Sequence, residues 1–319
     1  MVGSGVIDAY AGWIGTVGAK VSALPASAAA ADISQAFTRL AAVAGTSTCH
    51  LAMSADPVFV PGVWGPYRDV VLPGYWMAEG GQSATGELLR HVIETHPAHS
   101  KLVGLAHEAG GKNMYDMLNA HLGTMAEKHA APFLGYMARH LFFYGDLWGN
   151  RSPVGDASMK GAVVGLDSDT GLDGLALTYY AAMEFIALQT RQIIEVMNGA
   201  GHAITSIFMS GSQCKNPVLM DLMATACAMP LVVPEYIGAA VVHGAALLGA
   251  KAALGAQGKD DAALVGLWEI MSRMSRPGTV VLPGTDERAK ALLQAKYEVF
   301  LDLCERQQTY RAKVDDALS

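Results

Sequence analysis

Three short segments of this 319-residue chain carry groups suited to chemistry. The first surrounds Asp8, a lone carboxylate among Gly3, Gly5, Gly12, Gly15 and Gly18 with no cation close in sequence. Such a carboxylate either bonds backbone amides in a turn or acts as a general base at a cleft, where glycine lets backbone approach closely. Tyr10 and Trp13 beside it supply either a stacking face for a sugar or two core aromatics. The second segment is the turn Gly45-Thr46-Ser47-Thr48, set between two apolar runs. Its amide and hydroxyl donors can hold phosphate oxygens, or it simply closes a hairpin. The third is Gly211-Ser212-Gln213-Cys214-Lys215-Asn216, after a predicted strand and before a predicted helix. Strand ends in α/β sheets and helix N-termini both gather anionic ligands. An ordinary turn capped by Asn216 is the alternative. Neither GxxxxGK[ST] nor GxGxxG is present, which excludes a P-loop and disfavours a Rossmann oxidoreductase.

Other candidates for chemistry are weaker. The ten histidines form no HExxH or other close ligand pair. Asp167, Asp169 and Asp173 lack the glycine and closing glutamate of a calcium loop and read as a turn and helix cap. Cys49, Cys214, Cys227 and Cys304 show no CxxC spacing, so they read as reduced, packed thiols of an intracellular protein.

Composition narrows the class. The chain is 51% hydrophobic and 16% charged, which excludes intrinsic disorder. A net charge of −7 with no long Lys/Arg cluster argues against a nucleic-acid surface. Residues 236–250, YIGAAVVHGAALLGA, fall short of the ~20 residues that a membrane span needs and read as a buried helix pressed on a sheet. The N-terminus lacks the basic and apolar regions of a signal peptide. A soluble, cytoplasmic protein is expected.

The elements that must position these groups follow from pattern. A short helix or turn is expected after Asp8, and the alanine-rich residues 22–38 can form a short helix ending near Arg39. Apolar runs at 40–44 and 49–53 predict a hairpin. Pro57, Pro61, Pro66 and Pro73 then suit irregular or edge structure. A strand at 75–78 is expected to stop at Glu79-Gly80-Gly81. Leu88, Leu89, Val92 and Ile93 mark one face of a following helix. A helix at 113–129, a strand at 141–144 and an apolar segment at 162–166 come next. A long helix from 172 to about 197 is expected to close at Asn198-Gly199. Strands at 204–209 and 231–233, a helix opened by Pro217, a Gly/Ala helix at 238–254 and a charged helix at 286–314 complete the order.

Six motifs in sequence order are together specific: VIDAYAGWIGTVGA, AGTSTCHLAMS, GYWMAEGGQSATGELL, GNRSP, FMSGSQCKNPVLMDLMA and GAAVVHGAALLGA. In this order the chain resembles the FGGY family of carbohydrate kinases, most of all its ribulokinase-like members, from residue 2 to about 254. The resemblance implies an α/β fold, the ribonuclease-H-like lobe of the actin/hexokinase ATPase superfamily: a mixed five-stranded sheet with flanking helices, helical insertions and a hairpin phosphate loop. It implies ATP and Mg²⁺ as cofactors and a ketopentose as the sugar substrate. Asp8 matches the catalytic base, Gly45, Thr46 and Ser47 the phosphate hairpin, and Gly211, Ser212 and Asn216 the adenosine-binding loop. Tyr10, Trp13 and Glu79 lie in motifs near the sugar pocket. Family members have a first lobe with a DxGT-type loop, and no such motif occurs here. The whole of 1–319 is therefore expected to be the C-terminal, nucleotide-binding domain, with 1–39 its inter-lobe, catalytic-loop segment and the N-terminal lobe absent. That lobe or a homologous partner is the expected protein contact, and homo-oligomerisation stays open. A non-catalytic ATP-binding or interaction module of the same fold is the alternative.

Overall fold

A mixed seven-stranded sheet organises the chain, whose computed structural model describes residues 5–21, 32–256 and 266–319. Its strands are β1 (Arg39–Ala44), β2 (Thr48–Ser54), β3 (Trp64–Arg68), β4 (Trp76–Gln82), β7 (Ser206–Ser210), β8 (Leu231–Val233) and β9 (Thr279–Val281). The spatial order is β3-β4-β2-β1-β7-β8-β9. β1 runs antiparallel to β2 and parallel to β7, with Val43 opposite both Cys49 and Ser210. Two short strands, β5 (Phe142–Tyr144) and β6 (Ala162–Val164), pair separately.

Alternation along β1 and β2 divides the buried side chains between two faces, as a period of two requires. Leu40, Ala42 and Ala44 join the larger cluster with α3 (Gly86–Thr95), α6 (Leu172–Ala200) and α7 (Pro217–Cys227). α5 (Met114–Lys128) and α10 (Glu287–Leu318) complete that layer. Ala41, Leu51, Met53 and Met77 face the other way, against α1 (Asp8–Val17) and α9 (Leu267–Met274). α8 (Ala240–Ala256) covers α1 on the same side. The remaining α-helices among the described residues are α2 (Ser34–Phe37) and α4 (His99–Glu108), the second with no expected counterpart, and short 3-10 turns lie at Leu134–Ala138 and Ser212–Lys215.

Three expectations need correction. The sheet has seven strands instead of five, because β3 and the three-residue β9 extend its edges. Strands this short, one interrupted by Gly65-Pro66, give almost no alternation to read. β4 does not stop at Glu79 but runs on to Gln82, with Gly80 and Gly81 paired to His50 and Cys49. α6 passes Asn198-Gly199 and is capped by Gly201. Asn198 instead ties the helix to the next segment: its amide exchanges bonds of 2.9 and 2.8 Å with the Ile204 backbone. The alanine-rich helix expected at 22–38 falls mostly outside the described residues, which show only α2 there. Among the described residues no helix is long and apolar enough to cross a membrane.

Candidate active site

The two candidate phosphate-facing loops meet. Because β1 and β7 are parallel neighbours, the turn at 45–47 and the loop at 211–216 leave the same end of the sheet. Gly211 makes the crossing possible. Its φ of +102° favours glycine, and a Cβ there would stand 1.9 Å from the Ala44 carbonyl oxygen. Gln213 joins the loops directly, its buried Nε2 donating to the Gly45 carbonyl at 2.9 Å and to Thr85 Oγ1 at 2.6 Å. Thr85 also bonds Thr48 at 2.8 Å, so both ends of the hairpin turn are tied to the start of α3. The backbone N–H groups of Thr85 and Glu87 donate to the Thr46 carbonyl, and that of Gly86 to the Gly45 carbonyl. With those carbonyls engaged, the exposed turn offers an anion hydroxyls and open space: nothing lies within 4 Å of a Cβ placed on Gly45.

Asn216 is engaged within the fold. It is buried, caps α7 by accepting from Leu219 N, accepts from Asn119 Nδ2 at 2.9 Å and donates to Tyr179 Oη at 2.6 Å. It positions the loop, while Ser212 and the edge of Gly211 remain accessible.

α1 packs against the loop end of β7 and β1 through its middle and last turns. Thr16 donates to Ser210 Oγ at 3.1 Å at the tip of β7, and a Cβ on Gly12 would reach Val43 on β1 at 2.9 Å. The helix is seated by a backbone-to-backbone approach to α8. A Cβ on Gly15 would be 2.0 Å from the Ala240 carbonyl oxygen, and one on Gly244 would be 1.9 Å from that of Ala11. Asp8 is exposed in the first turn of α1, where the helix dipole favours a negative charge, and accepts from Ala9 N at 2.7 Å.

Tyr10, two residues further along α1, interacts with Glu79. Burial first, then the charges of Glu79 and Tyr67, push the Tyr10 hydroxyl up to about 12. Glu79 is ion-paired with Arg151 at 2.6 Å, and the Arg151 guanidinium stacks 4.6 Å above the Trp64 ring. Trp13 does not join them. It is fully buried in the α1-side core, with Nε1 unpartnered among the described residues, so it anchors α1 in that core. The motifs quoted above contain Gln213, Thr85 and Arg151, but no spacing rule singled them out; each acts across more than 70 residues of chain. Asp167 and Asp169 make the expected turn, while Gly171 occupies the cap of α6.

These features define a class: an α/β lobe whose hairpin and strand-to-helix loops meet at one end of a mixed sheet. Its fold is that of sugar kinases. A xylulose kinase from Rhodospirillum rubrum superposes with a TM-score of 0.66, covering 95% of this chain and 51% of that one at 23% identity. The domain "FGGY family of carbohydrate kinases, C-terminal domain" matches residues 40–253, and the chain belongs to that family. A D-ribulokinase of Saccharomyces cerevisiae is 52% identical over 257 residues, 79% of this chain and 36% of the relative. An FGGY carbohydrate kinase domain-containing protein of Homo sapiens is 41% identical over 315 residues, 99% of this chain and 54% of the relative. The chain thus spans about half or less of the length of these relatives.

The residues present fit a nucleoside triphosphate, since donor-rich turns converge at one sheet end. Among the described residues no three His, Cys, Asp or Glu side chains gather to hold a metal ion. Mg²⁺ keeps several waters and commonly binds through phosphates and one or two carboxylates. Asp8 is the exposed carboxylate among the candidate site residues.

Proposed function

We propose that this chain is the nucleotide-binding lobe of an ATP-dependent kinase for a ketopentose of the D-ribulose kind, with Asp8 as general base. The whole of 1–319 then forms the C-terminal domain, and 1–39 its inter-lobe and catalytic segment. The reading rests above all on Gln213, which fastens the 45–47 turn to the 211–216 loop. Phosphoryl transfer asks a protein for positioning and charge stabilisation more than for covalent chemistry. Residues 45–47 hold the phosphate oxygens, while the loop of Gly211, Ser212 and Asn216 receives the adenosine. Asp8 takes the proton from the attacking sugar hydroxyl, and Tyr10 and Glu79 orient the sugar. A magnesium ion carried by the nucleotide supplies charge neutralisation on the phosphates.

The ribulokinase names of the relatives favour D-ribulose as the first substrate to test. Purified chain, alone and mixed with a separately expressed first lobe of a relative, is assayed for ADP release with ATP and D-ribulose. Sugar-dependent release in either mixture supports the proposal. Tight ATP binding with no sugar-dependent release in both would leave a non-catalytic nucleotide-binding module.

A further inference from the structure

Arg151 is the cation facing Glu79, and its surroundings are built to hold it still. Nη2 donates to Glu79 Oε1 at 2.6 Å, and Nη1 lies 3.4 Å from Cys49 Sγ. The guanidinium sits on Trp64 with its carbon 4.6 Å from the ring centroid. The ion pair is shielded, with side chains 20% and 9% exposed, so water screens it little. Gly81 leaves the space for it, since a Cβ there would come within 2.9 Å of Arg151 Cζ.

The loop that carries Arg151 is itself pinned. Buried Asp146 accepts from Tyr144 Oη at 2.8 Å, Asn150 Nδ2 at 2.7 Å and Gln189 Nε2 at 2.9 Å. Asn150 in turn accepts from the backbone N–H groups of Val154 and Gly155, and Ser152 donates to the Gly62 carbonyl at 2.9 Å. A chain of bonds therefore runs from α6 through this loop to one oxygen of Glu79. Glu79 Oε2 makes no hydrogen bond among the described residues. The carboxylate is left with one oxygen fixed and one available, on the side of the sheet where Tyr10 lies.

We propose that Arg151 is a positioning residue that fixes Glu79 through Oε1 and so presents Oε2, beside Tyr10, as an oriented acceptor for a substrate hydroxyl. This deepens the proposed function and rests on its reading of Glu79 as a sugar ligand. A charge-assisted bond at 2.6 Å sets the direction of a side chain that otherwise has three rotatable bonds. Lysine cannot replace the planar fork, because a point charge reaches Glu79 without stacking on Trp64.

The test is a double-variant cycle on ketose affinity, measured by calorimetry on the ADP-loaded chain with D-ribulose. Arg151→Met is expected to weaken D-ribulose binding at least 10-fold and Arg151→Lys about threefold, with ADP affinity within twofold of wild type in both. Glu79→Gln should weaken D-ribulose binding by as much as Arg151→Met, and adding Arg151→Met to it should bring under twofold further loss. That non-additivity separates action through Glu79 from general damage, which would multiply. Trp64→Leu, which keeps both charges, should cost about threefold, and it serves if Arg151→Met does not fold. Unchanged binding in Arg151→Met beside a weakened Glu79→Gln overturns the positioning role alone, as does full multiplication in the double variant. Normal binding in Glu79→Gln, or none by wild type, refutes the sugar-site reading and this proposal with it.

Discussion

Gly15→Ala tests how Asp8 is held in place. The added methyl would lie 2.0 Å from the Ala240 carbonyl oxygen, 2.8 Å from Gly244 N and 2.9 Å from Ala240 C, all backbone atoms. No rotamer change relieves such a clash, so α1 and α8 must part by about 1 Å to restore even a 3.0 Å contact. Overpacking of this kind costs about 1–3 kcal/mol. The glycine is also an unfavourable helix residue, so alanine returns up to about 1 kcal/mol of helix propensity. A net loss of about 1–2 kcal/mol is therefore expected. Displacement of a catalytic group by about 1 Å can slow a reaction about 100-fold. Turnover should accordingly fall far more than stability. Gly123→Ala provides the control: it lies within α5 with nothing within 4 Å of its Cβ position, so the same substitution should stabilise the chain by up to about 1 kcal/mol. Urea unfolding of both variants, read beside D-ribulose-dependent ADP release, decides the matter. If Gly15→Ala is as stable and as active as wild type, the close seating of α1 on α8 is not what positions Asp8.

Gln213→Leu removes both donors that tie the 45–47 turn to the 211–216 loop. At about 0.5–1.5 kcal/mol per bond, it should lower stability by about 1–3 kcal/mol and weaken ADP binding about tenfold, read by urea unfolding and calorimetry. Burial pushes His50 down to about 3, so below about 6.5 the unfolded chain binds a proton that the folded one refuses. Stability from this group is complete above pH 6.5 and falls by about 1.4 kcal/mol per pH unit down to about 3. Burial raises Glu184 to about 7 despite its ion pair with Lys296, so here the folded chain holds the extra proton. Its contribution runs the other way, falling as pH rises from about 4.5 to 7, and the two slopes oppose each other between 4.5 and 6.5. Urea midpoints from pH 3.5 to 7.5 should show wild type losing stability relative to His50→Gln as pH drops; parallel curves would contradict the assignment.

How far the sequence reveals the site depends on how local each signal is. Leu88, Leu89, Val92 and Ile93 announce one face of α3, and all four are buried. Pro217 stands at the first position of α7 with Asn216 capping it, as the strand-to-helix reading expects. Gly45, Thr46 and Ser47 turn between two strands because the apolar runs on either side are long enough to read. The misses are non-local. Glu79-Gly80-Gly81 has the composition of a turn, yet it is strand, because it pairs with β2 while α6 packs tightly on Gly80 and the Thr48 carbonyl and Arg151 leave no room for a Cβ on Gly81. Arg151 and Gln213 look like ordinary loop residues until the fold sets them against Glu79 and Gly45. Trp13 has a composition suited to a ligand face and a position in the core, a distinction that only packing makes. The charge of Asp8 was legible from the start; its seating through Gly15 and Gly244 was not.

The central claim is that Asp8 serves as the base of a sugar-dependent phosphoryl transfer. The direct measurement is D-ribulose-dependent ADP formation by the chain complemented with a first lobe, compared between wild type and Asp8→Asn. The account predicts a loss of about 10²–10⁴-fold in turnover with ADP affinity unchanged, since Asp8 is assigned to the sugar hydroxyl and residues 45–47, 211 and 212 to the nucleotide. Turnover by Asp8→Asn within threefold of wild type would contradict it.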